Sequence, residues 1–222
     1  MVGAMMAAWL DITPEVEAEF ADWYFREHVP ERVTLPGFLA GRRYTAPGNE
    51  PNKYLALYEA TGKAVFASNA YRERLEQPTP WTTKIMPHFR NFARSVFDVR
   101  LELGSQYGGA IATIRYDNGA GLAGWLENEA LPALAARSGI CRVRFLEADE
   151  AQSRPKTREA GMRGGAGGNA WAPWTISIES IGMAWLRPAV TELLPDHALA
   201  ERGATDIMIG YYDLVFGMEY RV

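Results

Sequence analysis

A chain of 222 residues with a net charge of −4 and no basic stripe lacks the positive charge needed to follow a phosphate backbone, which argues against a nucleic-acid partner. Its 48% hydrophobic and 23% charged residues suit one or two compact units, and the lone Cys141 excludes an internal disulfide. His28, His88 and His197 are too widely spaced for a zinc motif, and the apolar opening meets Asp11 too soon to cross a membrane and lacks the basic flank of a signal peptide. A cytoplasmic protein with no membrane partner is expected.

In chain order, Met5–Ile12 reads as a strand. A helix should follow, with Thr13 as its N-cap, Pro14 at the first helical position and acids in the first turn. Phe20, Trp23, Tyr24, Glu27, His28 and Glu31 fall on steps of three and four, so they share one flank. Pro30 should end or kink the helix just after His28. There the helix dipole favours an imidazolium by about 0.3–1 kcal/mol, whereas burial beside Trp23 and Tyr24 favours the neutral ring. Either outcome leaves His28 a candidate general acid or base; the plainer reading is a packed aromatic flank with a half-buried His/Glu pair.

After Leu35-Pro36-Gly37, strands Phe38–Ala46 and Lys53–Ala60 flank the turn-forming APGNEPN, and Lys63–Gln77 has a helical pattern. PTPWTTKIMPHF is divided by Pro78, Pro80 and Pro87, and Asn91–Leu103 alternates as a long fourth strand. This β-α-β-β-α-β order is that of a ferredoxin-like unit, so the fold class is α+β. The order recurs as strand Ala110–Asp117, helix Ala120–Arg137, strands Ile140–Ala148 and Trp174–Ile181, helix Met183–Leu194 and strand Asp206–Tyr220. Two tandem units are expected, 1–104 carrying the candidate site and 105–222 carrying a Gly-rich insertion at about 149–173.

A shift of 102 positions superposes Trp23 on Trp125, Glu27 on Glu129, Pro30 on Pro132, Gly37 on Gly139 and Arg42 on Arg144. It also replaces His28 by Ala130, Glu31 by Ala133 and Arg32 by Leu134, so any chemistry belongs to the first half. GMRGGAGGN in the insertion lacks the closing Lys-Ser/Thr of a phosphate-cradling loop. The insertion is expected as a surface loop with solvated Arg154, Arg158 and Arg163; the sharper reading makes it a lid carrying Trp171 and Trp174 over a pocket.

Further candidates come from strand alternation. Arg42 and Tyr44 share one face and Arg43 takes the other; a structural ion pair of Arg42 with Glu27 or Glu129 ranks above substrate anchoring. Tyr54 and Tyr58 share a face opposite Glu59 and could donate to a phenol or carbonyl, although packing explains them as readily. Trp81 and His88 form a second cluster, and His197 follows Pro195-Asp196 in an exposed loop.

The pattern Phe20, Trp23, Tyr24, His28 and Pro30, followed by Pro-Gly and a strand, resembles the signature of EthD-type domains in the dimeric α+β barrel superfamily. The resemblance covers about the first hundred residues in sequence and the second half in layout. It implies two ferredoxin-like sheets closing into a barrel, with ligand cavities between sheet and helices; one chain supplies here what two chains supply in most relatives, and a homodimer of the whole remains open. It further implies cofactor-free monooxygenase, isomerase, cyclase or decarboxylase chemistry on aromatic or polyketide-like molecules, with haem-using branches beside it.

The leading expectation is therefore a cofactor-independent lyase, decarboxylase or isomerase with His28 as general acid/base and Trp23, Tyr24, Arg42, Tyr44, Tyr54, Tyr58, Trp81 and His88 shaping the site. Two alternatives stand beside it: a haem protein ligated by His28, His88 or His197, and a non-enzymatic carrier of an apolar metabolite.

Overall fold

The structure, a computed structural model, describes residues 2–118, 121–163 and 170–220. The glycine-rich centre of the insertion and Ala120, the expected start of a helix, lie outside the described residues. The first half runs β1 (Ala4–Ile12), α1 (Glu17–Trp23), α2 (Val29–Val33), β2 (Phe38–Thr45), β3 (Tyr54–Ala60), α3 (Asn69–Glu76), α4 (Pro80–Ile85) and β4 (Phe89–Gly104). The second runs β5 (Ala110–Asp117), α5 (Ala123–Trp125), α6 (Leu131–Ala135), β6 (Ile140–Ala148), α7 (Glu150–Ser153), α8 (Arg158–Met162), β7 (Trp174–Ser180), α9 (Met183–Leu193), α10 (Asp196–Ala200) and β8 (Thr205–Glu219). Among the described residues no helix is long and apolar enough to cross a membrane.

The eight strands form one closed antiparallel barrel in the order β1-β3-β2-β8-β5-β7-β6-β4. Each half contributes the same arrangement, β4-β1-β3-β2 and β8-β5-β7-β6, so the two ferredoxin-like units meet twice. The long strands make both joints: β4 runs on to pair with β6 from Phe97↔Ala148 to Gly104↔Arg142, and β8 pairs with β2 from Ala40↔Glu219 to Thr45↔Asp213. Closure removes the exposed edges that a single four-stranded sheet would present.

Helices cover the outside of each half, so most strand residues are buried on both faces. Met5, Ala7 and Trp9 point into the barrel, where they meet Tyr44, Leu57, Phe97, Leu146 and Tyr212. Ala4, Met6, Ala8 and Leu10 point outward under the first-half helices. Ala110, Ala112, Ile114 and Tyr116 do the same in the second half. The molecule thus holds three apolar layers, and each helix–sheet layer belongs to one half.

The helix expected to end or kink at Pro30 does neither cleanly. Tyr24–His28 forms a π turn in which the Val29 amide donates back to the Tyr24 carbonyl, and α2 carries the chain through Pro30 to Val33. Widening the turn just before a residue with no amide proton lets the helix pass the proline. The second half repeats the device at Leu126–Ala130 ahead of Pro132. Gly37 and Gly139 then leave the two helices with φ of +90° and +79°, a region where a side chain would be strained.

Three local expectations are corrected. Thr13 does not cap α1; its hydroxyl meets His88 Nδ1 at 2.9 Å. PTPWTTKIMPHF contains α4, capped by Thr79 accepting from the Thr82 amide. The insertion is not a plain loop, since it holds α7 and α8, capped by Asp149 and Thr157.

Candidate active site

His28 lies at the junction of the π turn and α2, not in a C-terminal last turn, so the dipole argument for an imidazolium lapses. Its ring is tilted against Trp23 with centroids 4.3 Å apart and meets Tyr24 edge-on at 4.9 Å. The residue is 7% exposed, and Nδ1 is buried with no hydrogen-bond partner among the described residues. Burial first, then the charges of Arg32, Arg163 and Arg43, hold its pKa well below 6.5. At neutral pH His28 is an uncharged imidazole with an unused nitrogen.

It lines a small cavity of about 30 Å³ between the sheet and the helices, room for one or two waters. Tyr24 and Tyr58 share that cavity. Burial pushes the Tyr24 phenol up to about 12 and the Tyr58 phenol well above its usual value, so both keep their protons and can donate. The Tyr58 hydroxyl is buried beside the Tyr24 phenol and bonds to no other described residue. Apolar walls come from Met86, Phe89 and Phe92.

Charge enters from two directions. Arg32, one turn beyond His28 and 2% exposed, donates from Nη1 to Glu31 at 2.8 Å and from Nη2 to Glu159. Glu159 sits on α8 in the second half, so the insertion reaches across and forms part of the wall of the first-half cavity. Arg163 follows on the same strap, 3.5 Å from Glu159 and stacked on Phe92 at 4.0 Å; burial brings its pKa down to about 10, and it remains a cation at neutral pH. Arg94 reaches in from β4 and donates to the Gln152 and Ser153 carbonyls and to Tyr71.

The other sequence candidates fall elsewhere. Arg42 and Tyr44 point into the barrel on the far side of the sheet, so they cannot serve a site at His28. Arg42 is an ion-pair residue, but its partner is Glu59 rather than Glu27 or Glu129. Arg144 joins it on Glu59 at 2.7 Å and reaches Glu179 at 3.1 Å, and Tyr107 covers the network with its ring 4.1 Å from the Arg42 guanidinium. Trp81 lies outside α1 and donates to Glu19 at 3.1 Å. His88 is held by Thr13, and His197 stands exposed on α10.

Tyr54 belongs to a different hollow, an open groove of about 800 Å³ lined by Glu17, Phe25, Arg43, Tyr54 and Phe216. There Arg43 is wedged between the rings of Phe20, Tyr24 and Tyr54 at 4.2–4.5 Å. Trp23 backs His28 and donates to Glu27 at 3.1 Å and to Thr82 at 3.2 Å, which ties the π turn to α4.

No protein-family model matches the chain, and no protein of curated function matches it in sequence. Solved structures do match in fold. An anthrone oxidase-like protein superposes with a TM-score of 0.63 at 12% identity over 97% of this chain and 92% of its own. A candidate monooxygenase from Fusobacterium nucleatum gives 0.59 at 8% identity over 100% and 98%, and a candidate chlorite dismutase gives 0.56 at 12% over 97% and 96%. These neighbours are ferredoxin-like α+β barrel proteins, and at such identity the likeness is one of fold.

Sequence reasoning thus brought His28, Tyr24, Tyr58 and the backing Trp23 to one place and missed Arg32, Arg94, Glu159 and Arg163. For Arg32 a signal existed, its replacement by Leu134 in the second copy. For Glu159 there was none, because 127 residues separate it from its partner.

Proposed function

We propose that the protein is a cofactor-independent cytoplasmic enzyme of the EthD type, with His28 as general base toward a small aromatic or polyketide-like molecule. The reading rests on one observation: a neutral imidazole whose Nδ1 has no partner among the described residues, in a buried cavity that it shares with the protonated phenols of Tyr24 and Tyr58. Such a group takes a proton from a carbon or hydroxyl acidified by a neighbouring carbonyl. The electron pair moves onto the carbonyl oxygen, and Tyr24 and Tyr58 donate to the oxyanion that forms. Returning the proton to another atom is an isomerisation; returning it to a carbon that has lost CO₂ completes a decarboxylation. Neighbours of this fold carry oxidase-like and monooxygenase names, and fold alone assigns no reaction.

The test is a metabolite screen that follows tryptophan fluorescence, then looks for product among the hits by mass. Wild type should convert at least one hit, and His28→Gln should keep its circular dichroism and lose turnover by about 10²–10⁴-fold. Equal turnover in that variant discards the base. Binding with no product from any hit would instead support the carrier reading, which the enclosed apolar walls also suit.

Haem fits poorly. His28 is boxed in by Trp23 and Tyr24 beside a cavity of about 30 Å³, His88 is bonded to Thr13, and His197 faces solvent. A Soret band after expression with added haem would restore that reading.

A further inference from the structure

We propose that the open groove between α1 and the β2–β8 joint is a second ligand site, which takes a flat apolar monocarboxylate and holds its acid group on the Arg43 guanidinium. The groove and the His28 cavity share no lining residue, so the inference stands apart from the reading of His28 as a base.

An unanswered charge is the first ground. Arg43 is 4% exposed and lines the groove. Among the described residues it makes no hydrogen bond and no ion pair; Nη1 is buried without a partner, and the side chain rests on the rings of Phe20, Tyr24 and Tyr54. Ring faces offset part of the cost of burying a cation, but they leave its N–H groups without an acceptor of the usual kind. Burial draws the Arg43 pKa below its ordinary value, the sign of a cation short of counter-charge. The acids of the groove are committed elsewhere. Glu17 is near enough to feel the Arg43 charge, yet its carboxylate accepts from Lys53 and from the Tyr54 hydroxyl. Asp22 faces Arg26 at 3.7 Å in solvent. With those pairs cancelled, the charge of Arg43 is left over. A planar guanidinium with free donors matches a carboxylate through both of its oxygens.

The second ground is the shape and polarity of the walls. Phe25 and Val215 are each 56% exposed, and Phe25 meets Phe216 edge-on at 5.3 Å. Ala18 and Ala21 of α1 complete the apolar lining. Large apolar side chains left in water beside a buried cation suit a ligand with an acid at one end and a ring at the other. The groove volume of about 800 Å³ is that of a small-molecule site, and because Arg43 lies deep, the acid group has to enter end-on.

The third ground is the equivalent seam of the second half. Arg43 pairs with Ala56 as Phe145 pairs with Ile176, and Tyr54 pairs with Leu10 as Trp174 pairs with Tyr116. Phe145 and Trp174 thus occupy the places of Arg43 and Tyr54, and they stack at 5.3 Å. Glu127, in the place of Phe25, is held by Arg100, which also reaches Glu147 at 2.8 Å. That seam is packed by an apolar stack and bridged by surface ion pairs. The fold therefore has no need of a cation at Arg43 or of a bare ring at Phe25, and both occur together where the groove is open.

The experiment is equilibrium dialysis of the full chain against 2-naphthoate and against 2-naphthamide. Wild type should bind the acid at least about tenfold more tightly than the amide, the scale of one hydrogen bond to a buried charge. Arg43→Leu, which gives the position the apolar character of Phe145, should abolish that preference. Because this variant also alters packing, Phe25→Ala, at an exposed residue, supplies an independent reading: it should weaken the acid by about two- to tenfold and leave the preference over the amide in place. His28→Gln should bind the acid as wild type does, which separates failure of this site from failure of the proposed base. No binding of the acid, equal binding of acid and amide, a preference that survives Arg43→Leu, an affinity untouched by Phe25→Ala, or binding lost in His28→Gln overturns the proposal.

Discussion

The two helix–sheet layers are built on one plan and filled with opposite chemistry. Strand register fixes the equivalences: Ala4 faces Ala60 and Asp98 in the first half as Ala110 faces Ser180 and Asp213 in the second. On that register, with the shift of 102 for the helices, Tyr24 corresponds to Leu126, His28 to Ala130, Arg32 to Leu134, Tyr58 to Ile178 and Arg94 to Ile209. Each of these five polar groups thus has an apolar counterpart, and the second layer packs as an apolar core. The shared π turn is therefore a way to carry a proline within the fold, and does not by itself mark a site. What marks the first layer is buried polarity that the second shows the fold does not require.

If that difference is functional, making the first half resemble the second should cost function and reveal which polar groups also hold the structure. The largest effect is expected for Arg32→Leu, which copies Leu134 and strips Glu159 of its closest partner. Breaking one side of a buried pair costs about 3–5 kcal/mol, and the double variant Arg32→Leu/Glu159→Leu should recover most of it. Urea unfolding of the four proteins in the cycle measures the coupling; additive losses would show that the pair does not act as a unit.

A smaller effect is expected from His28 through pH. Its folded pKa lies well below the unfolded 6.5, so the unfolded chain takes up a proton that the folded protein refuses. The stabilisation is full above 6.5 and is lost as pH falls from there toward the folded pKa, with a slope of at most about 1.4 kcal/mol per pH unit. Urea midpoints between pH 7.5 and 5.5 should fall further for wild type than for His28→Gln, with His88 and His197 common to both. Parallel curves would mean that the imidazole titrates normally and is hydrated.

Much of the barrel was legible because its strands are apolar runs bounded by turn residues; Ala110–Asp117 and Ile140–Ala148 fall where the pattern puts them. α4, α7 and α8 escaped notice because each is only four to six residues long and is held by a side-chain cap and tertiary contacts, with no apolar period of its own. Within the site, His28, Tyr24 and Tyr58 could be read from spacing. Arg42 and Tyr44 were put on the wrong side for a general reason: alternation says which residues share a face but not which face looks inward, and β2 is buried on both. Glu159 could be reached only through topology, since β6 pairs with the end of β4 and so delivers the following segment over the other half.

The mildest change should separate the two layers most cleanly. Tyr58→Phe deletes one buried hydroxyl whose one polar neighbour among the described residues is the Tyr24 phenol, and leaves a ring that packs against Phe38 at 6.3 Å and His28 at 6.5 Å. A buried hydroxyl with at most one weak bond is a standing cost, so its removal should raise unfolding stability by up to about 1 kcal/mol. The second layer, which carries Ile178 at that position, already lacks the group. A structural tyrosine would behave the other way, with stability falling because a bond to Tyr24 or to a trapped water had been cut. Stability gained together with weakened ligand response is the signature of a polar group kept for function at the expense of the fold. Calorimetric unfolding and the tryptophan-fluorescence response to ligands found in the metabolite screen, read on the same sample, distinguish the outcomes.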